Sequence, residues 1–234
     1  MKLTRVQNAV AVQTPEGALV IRQILAIGRN YAEHASEMGG AAPTRPVLFA
    51  KNIAALCLGG DEIVVPKICQ DRPQVDFEGE LAVVIGRSAR DVSKDDALKY
   101  VLGYAAANDV SARWWQKEGS GGQFVRGKSF DTFCPMGSVT PAAEVGDPQT
   151  LKLVTRVNGE VMQNAGTDGM LFSVSTLVSE LSRGMTLVAG TVILTGTPSG
   201  VGAARTPVVF LKDGDVVEVE ISRVGKVENR VRYE

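Results

Sequence analysis

Leu81-Ala82-Val83-Val84-Ile85 is an unbroken apolar run rich in β-branched residues, and it restricts the folds open to this chain more than any other segment. It reads as a strand buried inside a sheet. Glu78-Gly79-Glu80 stands directly before it. Side chains alternate along a strand, so Glu78 and Glu80 point to the same side. Two carboxylates together at the mouth of a core strand repel each other and are costly to desolvate. A hard divalent cation removes both problems, because Mg2+, Mn2+ and Ca2+ favour oxygen ligands. A third carboxylate, Asp109, ends another apolar segment at Ala106-Ala107-Asn108-Asp109-Val110. The competing reading of Glu-x-Glu is the solvated face of an amphipathic strand, and spacing alone does not choose between the two.

Further strand-like runs punctuate the chain. The first 24 residues read as short strands around the turn Thr14-Pro15-Glu16-Gly17. Gln23–Gly28, Val47–Ala50, Asp61–Val65 and Thr191–Thr195 read as strands. So do Val216–Ile221 and Lys226–Val231, which alternate. Leu151–Val157, Asn158-Gly159 and Glu160–Met162 form a hairpin pattern with the favoured Asn-Gly turn. Helical signals are fewer. Asn30–Met38 is stopped by Gly39-Gly40, and Ser173–Arg183 carries Leu177, Val178 and Leu181 on one face with Gly184 as its stop. Asp91–Tyr100 is predicted as a helix with Ser93 as N-cap and Asp96 completing a weak capping box. Strands do not alternate regularly with helices, which argues against Rossmann and TIM-barrel architectures. The expected fold class is α+β and β-rich, one domain of rolled, mixed sheets over residues 1–234, with residues 1–24 a strand segment packed on it.

The charge balance narrows the function. Among 234 residues, 25 basic and 26 acidic side chains leave a formal charge of −1, which offers no footprint for nucleic acid or an anionic membrane. Cys57, Cys69 and Cys134 lack metal-type spacing and suggest free thiols in a reducing compartment. No apolar signal core follows Met1 and no run approaches the ~20 residues of a membrane helix, so a cytoplasmic location is expected. His34 is the one histidine, and few other side chains titrate near neutral pH.

Gly122-Gln123-Phe124-Val125-Arg126-Gly127-Lys128-Ser129 matches the phosphate-loop pattern GxxxxGK[ST] letter for letter. That mechanism needs a buried strand before the loop and a helix after it. Trp114-Trp115-Gln116-Lys117-Glu118 is no buried strand, and Pro135 follows too closely for an ordinary helix. Nucleotide binding is therefore not expected. Lys128 reads either as a solvated lysine or, beside glycines that permit close approach, as a ligand-facing cation.

His34 and Glu37 stand three apart in Gly28-Arg29-Asn30-Tyr31-Ala32-Glu33-His34-Ala35-Ser36-Glu37. On a helix they share a face, and a carboxylate bonded to imidazole makes it a better general base. A surface His beside a surface Glu is the alternative.

Five segments in order now carry a family resemblance: Gly28–Tyr31 with His34-x-x-Glu37; Glu78-Gly79-Glu80-Leu81; Asn108–Arg113; Arg126–Pro135; and Leu194–Gly202. The chain resembles the fumarylacetoacetate hydrolase superfamily from Ile27 to its C-terminus, and its length resembles the short acylpyruvase, or fumarylpyruvate hydrolase-like, branch. The resemblance implies a mixed β-sandwich roll of the family's C-terminal-domain type with a few short helices. It also implies a homodimer and a Mg2+ or Mn2+ site. By the same resemblance Glu78, Glu80 and Asp109 match the metal ligands. His34 and Glu37 match a dyad on a short helix that orders over substrate, and Lys128 matches the active-site lysine. Arg113, Gln116 and Thr197 match substrate-contacting positions. Two departures concern the pocket: Trp114 follows Arg113 where the family commonly has an acid, and Asn52-Ile53 follows Lys51 where it often has Pro-Ser or Pro-Thr.

The implied substrates are short 2-oxo acids. The leading expectation is metal-dependent C–C hydrolysis of a 2,4-dioxo acid, an acylpyruvate or fumarylpyruvate, to pyruvate and a carboxylic acid, as in aromatic catabolism. Here His34 would activate water and Lys128 would stabilise the oxyanion. The alternatives are decarboxylation of an oxaloacetate-like acid, or isomerisation or hydration of an unsaturated 2-oxo diacid. A non-catalytic binding protein is disfavoured because no ligand or dyad position is missing.

Overall fold

The computed structural model describes residues 1–7 and 9–234. Its centre is an eight-stranded mixed sheet. Seven of its strands run in the order Val47–Lys51, Gln23–Gly28, Thr191–Leu194, Gly79–Ile85, Val101–Asn108, Cys134–Met136 and Leu56–Leu58, while Thr140–Pro141 also pairs with Val101–Asn108. The two edge strands, Val47–Lys51 and Leu56–Leu58, are joined through the 3-10 turn Ile53–Ala55, so the sheet curls. A second, five-stranded sheet is ordered Glu160–Gly166, Lys152–Val157, Val216–Ile221, Gly225–Tyr233 and Glu62–Val65.

Gly79–Ile85 is buried along its whole length because both of its faces are covered. Leu81, Val83 and Ile85 pack with Leu153, Val219 and Ile221 of the second sheet and with Leu177, Val178 and Leu181 of the helix Val174–Ser182. Ala82 and Val84 face the other way, toward Val10, Val12 and Ile21 of the N-terminal segment. That segment contributes a three-stranded sheet, Leu3–Val6, Ala9–Thr14 and Gly17–Val20. Each large aliphatic side chain so buried stabilises the fold by about 1.5–3 kcal/mol.

The hairpin turn has positive φ at both Asn158 (52°) and Gly159 (81°), the backbone that Asn-Gly favours. Ser173 caps its helix by accepting from the Thr176 amide. The predicted Asp91–Tyr100 helix is a correction. Ser93 does bond Asp96, but only the 3-10 turn Ala97–Tyr100 forms. The strand Val101–Asn108 begins at the next residue, and its pairing with Gly79–Ile85 claims the chain before a second helical turn can form. The phosphate-loop letters fold as a short helix, Phe124–Lys128, lying inside the motif, and the 3-10 turn Glu118–Ser120 precedes it instead of a strand. Cys57, Cys69 and Cys134 are buried free thiols. Among the described residues no helix is long and apolar enough to cross a membrane.

Candidate active site

Sheet register assembles the acidic cluster. Asn108 lies opposite Gly79, so Asp109 falls beside Glu78, and the Asp109 amide donates to the Glu78 carbonyl at 2.8 Å. Leu194 lies opposite Ala82, which brings the Gly196 amide to Glu80 Oε2 at 2.6 Å. Gly196 has φ 95°, and a Cβ there would lie 2.7 Å from Asn30 Cβ, so this close approach requires glycine. Carboxylate oxygens of Glu78, Glu80 and Asp109 all lie within 4.8 Å of one another, and all three residues are buried.

Cations surround two of the three. Lys128 Nζ donates to Glu78 Oε2 at 2.6 Å and to Asp109 Oδ2 at 2.7 Å. Lys51, equally buried, bonds Asp109 Oδ1. Arg113 donates to Glu78 Oε1 at 2.7 Å, to Gln116 Oε1 at 3.1 Å and to Asp76 Oδ2 at 2.7 and 3.0 Å. Burial would raise the Glu78 carboxyl, but Lys128, Arg113 and His34 outweigh it and hold it well below the usual range. Burial would likewise lower the Lys128 ammonium, yet Asp109 and Glu78 more than reverse that and raise it.

Glu80 is different. Among the described residues no basic side chain pairs with it, and the Gly196 amide is its hydrogen-bond partner. Burial first, then Asp109 and Glu78, push its carboxyl well above the ordinary range. A buried carboxylate without a cation, within 4.8 Å of two others, is a donor set that a hard divalent ion satisfies. The residues therefore fit such an ion, with Glu78, Glu80 and Asp109 as the oxygen ligands.

The dyad forms as the spacing implies. The helix Ala32–Glu37 presents buried His34 with Nδ1 at 2.8 Å from Glu37 Oε1. A carboxylate accepts, so Nδ1 donates to Glu37, and in the neutral ring Nε2 then carries the lone pair. Glu37 Oε2 accepts the Gly200 amide at 2.9 Å. Asn30 anchors the entry to this helix by donating to the Thr195 and Phe172 carbonyls at 2.7 and 3.1 Å. A cavity of about 520 Å³ is lined by His34 together with Glu78, Arg113, Gln116, Lys128 and Thr197.

Thr197 reaches the cavity with its hydroxyl already engaged. It donates to the Gly79 carbonyl at 2.9 Å and accepts from Gln163 Nε2 at 2.7 Å. Gln163 Oε1 in turn accepts the Gly79 amide at 2.9 Å, so two side chains hold the peptide between the glutamates. Lys51, Asp76 and Gln163 escape sequence reasoning. For Asp76 a signal exists, because the alternation that pairs Glu78 with Glu80 extends one step back. Asp76 also collects the amides of Phe77, Gly202 and Ala203, each at 2.8 Å. Lys51 merely ends an apolar strand, and no motif marks Gln163.

The rolled mixed sheets carry a buried acidic triad, and Glu78 of that triad lines the same cavity as His34 of the dyad. The fumarylacetoacetate (FAA) hydrolase C-terminal family matches residues 23–232. The chain belongs to that family. Oxaloacetate tautomerase FAHD2A, mitochondrial, of Bos taurus is 44% identical over 210 residues, 89% of this chain and 66% of that protein. Oxaloacetate tautomerase YisK of Bacillus subtilis strain 168 is 45% identical over 213 residues, 90% of this chain and 69% of that protein. The chain thus spans about two thirds of the length of these relatives. Among solved structures, fumarylpyruvate hydrolase from Pseudomonas aeruginosa in complex with Mn2+ and pyruvate superposes with a TM-score of 0.86. It is 30% identical and covers 99% of each chain.

Proposed function

We propose that this chain catalyses enolisation of a short 2-oxo acid, interconverting keto and enol forms of an oxaloacetate-type substrate with Mg2+ or Mn2+ held by Glu78, Glu80 and Asp109. The observation that carries the reading is one cavity lined both by Glu78 of the triad and by His34 of the dyad. The tautomerase relatives, at 44–45% identity, support this reaction over C–C hydrolysis as the main one. When bound, the ion supplies Lewis-acid stabilisation of negative charge on the 2-oxo oxygen. His34 Nε2 removes or returns the C3 proton, and Glu37 fixes its tautomer and orientation through Nδ1. Lys128 adds positive charge beside the developing oxyanion. Arg113, tied to Asp76 and Glu78, and Gln116, tied to Arg113, keep the substrate-side wall in place.

Hydrolysis of a 2,4-dioxo acid is a second reading. The similarity to a fumarylpyruvate hydrolase containing Mn2+ and pyruvate favours it, since the same imidazole can deprotonate water. The family's homodimer and a cytoplasmic setting remain part of the proposal.

Deuterium exchange at C3 of 2-oxobutanoate, ultraviolet detection of the oxaloacetate enol–keto change, and acylpyruvate cleavage separate these readings. Enolisation requires metal-dependent acceleration of the first two. His34→Ala should slow it by about 10²–10⁴ with Mn2+ affinity retained. Cleavage of acylpyruvates without any C3 exchange would transfer the assignment to the hydrolase.

A further inference from the structure

We infer that Arg29, at the mouth of the cavity, reads the far carboxylate of a dianionic 2-oxo diacid. The inference rests on the 2-oxo acid reading above and adds the residue that would select a diacid.

Arg29 follows the strand Gln23–Gly28 and lies in the left-handed region at φ 58°. That backbone is uncommon for a residue with a side chain, and such outliers gather at ligand sites. Its neighbours impose it. The Asn30 side chain bonds Thr195 and Phe172, and a Cβ on Gly28 would lie 3.4 Å from the Phe124 ring. The guanidinium lies against Gly40, just past the dyad helix: a Cβ on Gly40 would sit 3.1 Å from Arg29 Nη1. Arg29 lines the cavity while remaining exposed, and among the described residues it makes no ion pair or side-chain hydrogen bond. A positioned, unpaired guanidinium presents a planar fork that matches a carboxylate. Lys117 lines the same cavity, is exposed and also lacks an ion pair among the described residues.

Charge complementarity points to the same ligand. Five site carboxylates (Asp76, Glu78, Glu80, Asp109 and Glu37 of the dyad) face three buried cations (Lys51, Arg113, Lys128), leaving two negative charges when all are ionised. A divalent ion would cancel these. Arg29 and Lys117, opposed by Glu118, leave one positive charge at the mouth. The excess positive charge therefore lies at the mouth, with Arg29.

The test compares matched ligands that differ only by a terminal carboxylate in place of a methyl group: oxaloacetate with 2-oxobutanoate, and 2-oxoglutarate with 2-oxopentanoate. Affinities are measured by calorimetry on Mn2+-saturated protein. Wild type should favour the diacid of one pair by about tenfold or more, the scale of a charge-assisted hydrogen bond. Arg29→Gln should abolish that preference with monoacid affinity unchanged, and Arg29→Lys should retain part of it. A preference that survives in Arg29→Gln, or equal weakening of both ligands, would overturn the assignment. Metal-dependent monoacid binding with no gain from the second carboxylate at either length refutes Arg29 recognition alone. Wild-type protein that binds neither member of either pair refutes the enolisation reading as well.

Discussion

Gly79→Ala probes how the two glutamates are positioned. A Cβ on Gly79 would lie 2.0 Å from Thr155 Oγ1 and 3.2 Å from both Gln163 Oε1 and Val219 Cγ1. Thr155 is fully buried in the strand Lys152–Val157, with Gln163 and Val219 as its partners on the flanking strands. Its hydroxyl has no free space to retreat into, and overpacking of this kind costs about 1–3 kcal/mol. The Thr155 hydroxyl has no hydrogen-bond partner among the described residues, so Thr155→Ala removes the clash without breaking a bond. That single change leaves a small void costing about 1 kcal/mol. The double variant should therefore recover stability, with a coupling energy of about 1–3 kcal/mol. Urea unfolding of the four proteins measures it, and Mn2+ titration of the same four reads out the site. Gly79→Ala should weaken Mn2+ binding because Glu78 and Glu80 move with the Gly79 peptide, and Thr155→Ala should restore it. Strictly additive stability losses, or unchanged Mn2+ affinity in Gly79→Ala, would refute this account of the site's geometry.

Metal binding should expel a proton from Glu80. Burial, Asp109 and Glu78 push its carboxyl well above the ordinary carboxylate value of 4.5, so it holds a proton more tightly than an ordinary carboxyl, whereas a ligand must be ionised. Mn2+ titration in two buffers of different ionisation enthalpy should show this release, and identical apparent enthalpies would remove Glu80 from the ligand set. The same shift makes the metal-free protein's stability pH-dependent. The contribution from Glu80 is fully present below its ordinary value and is lost as pH rises through the raised one, so added Mn2+ should stabilise most at the alkaline end. Lys128→Met removes the partner shared by Glu78 and Asp109 and should cost about 3–5 kcal/mol in metal-free protein. Saturating Mn2+ should shrink that loss in thermal unfolding; an equal loss with and without the ion would separate Lys128 from the triad.

Much of this molecule follows from local pattern. The apolar run Leu81–Ile85 required a strand covered on both faces, and the alternation before it aligned Glu78 with Glu80. Three-residue spacing on a helix was enough to join His34 to Glu37, and Asn158-Gly159 was enough to place a hairpin. The helix expected at Asp91–Tyr100 failed because strand pairing from Val101 onward outweighed a modest capping signal.

The cation set around the triad obeys no local rule. Lys51 meets Asp109 across 58 positions, Gly196 meets Glu80 across 116, and Gln163 meets Gly79 across 84. Each contact depends on register between strands remote in the chain and on the curl that brings Lys51 round to the acidic cluster. Periodicity decides which way a side chain points, and so the sequence alone marked the longer strands, the common side of Glu78 and Glu80 and the reach between His34 and Glu37, but not the short strands Leu56–Leu58 and Cys134–Met136. What each side chain meets depends on neighbours supplied by other strands. Tertiary structure therefore decided that Glu78 and Asp109 have cationic partners and that, among the described residues, Glu80 has none and Arg29 lies unpaired on the cavity wall.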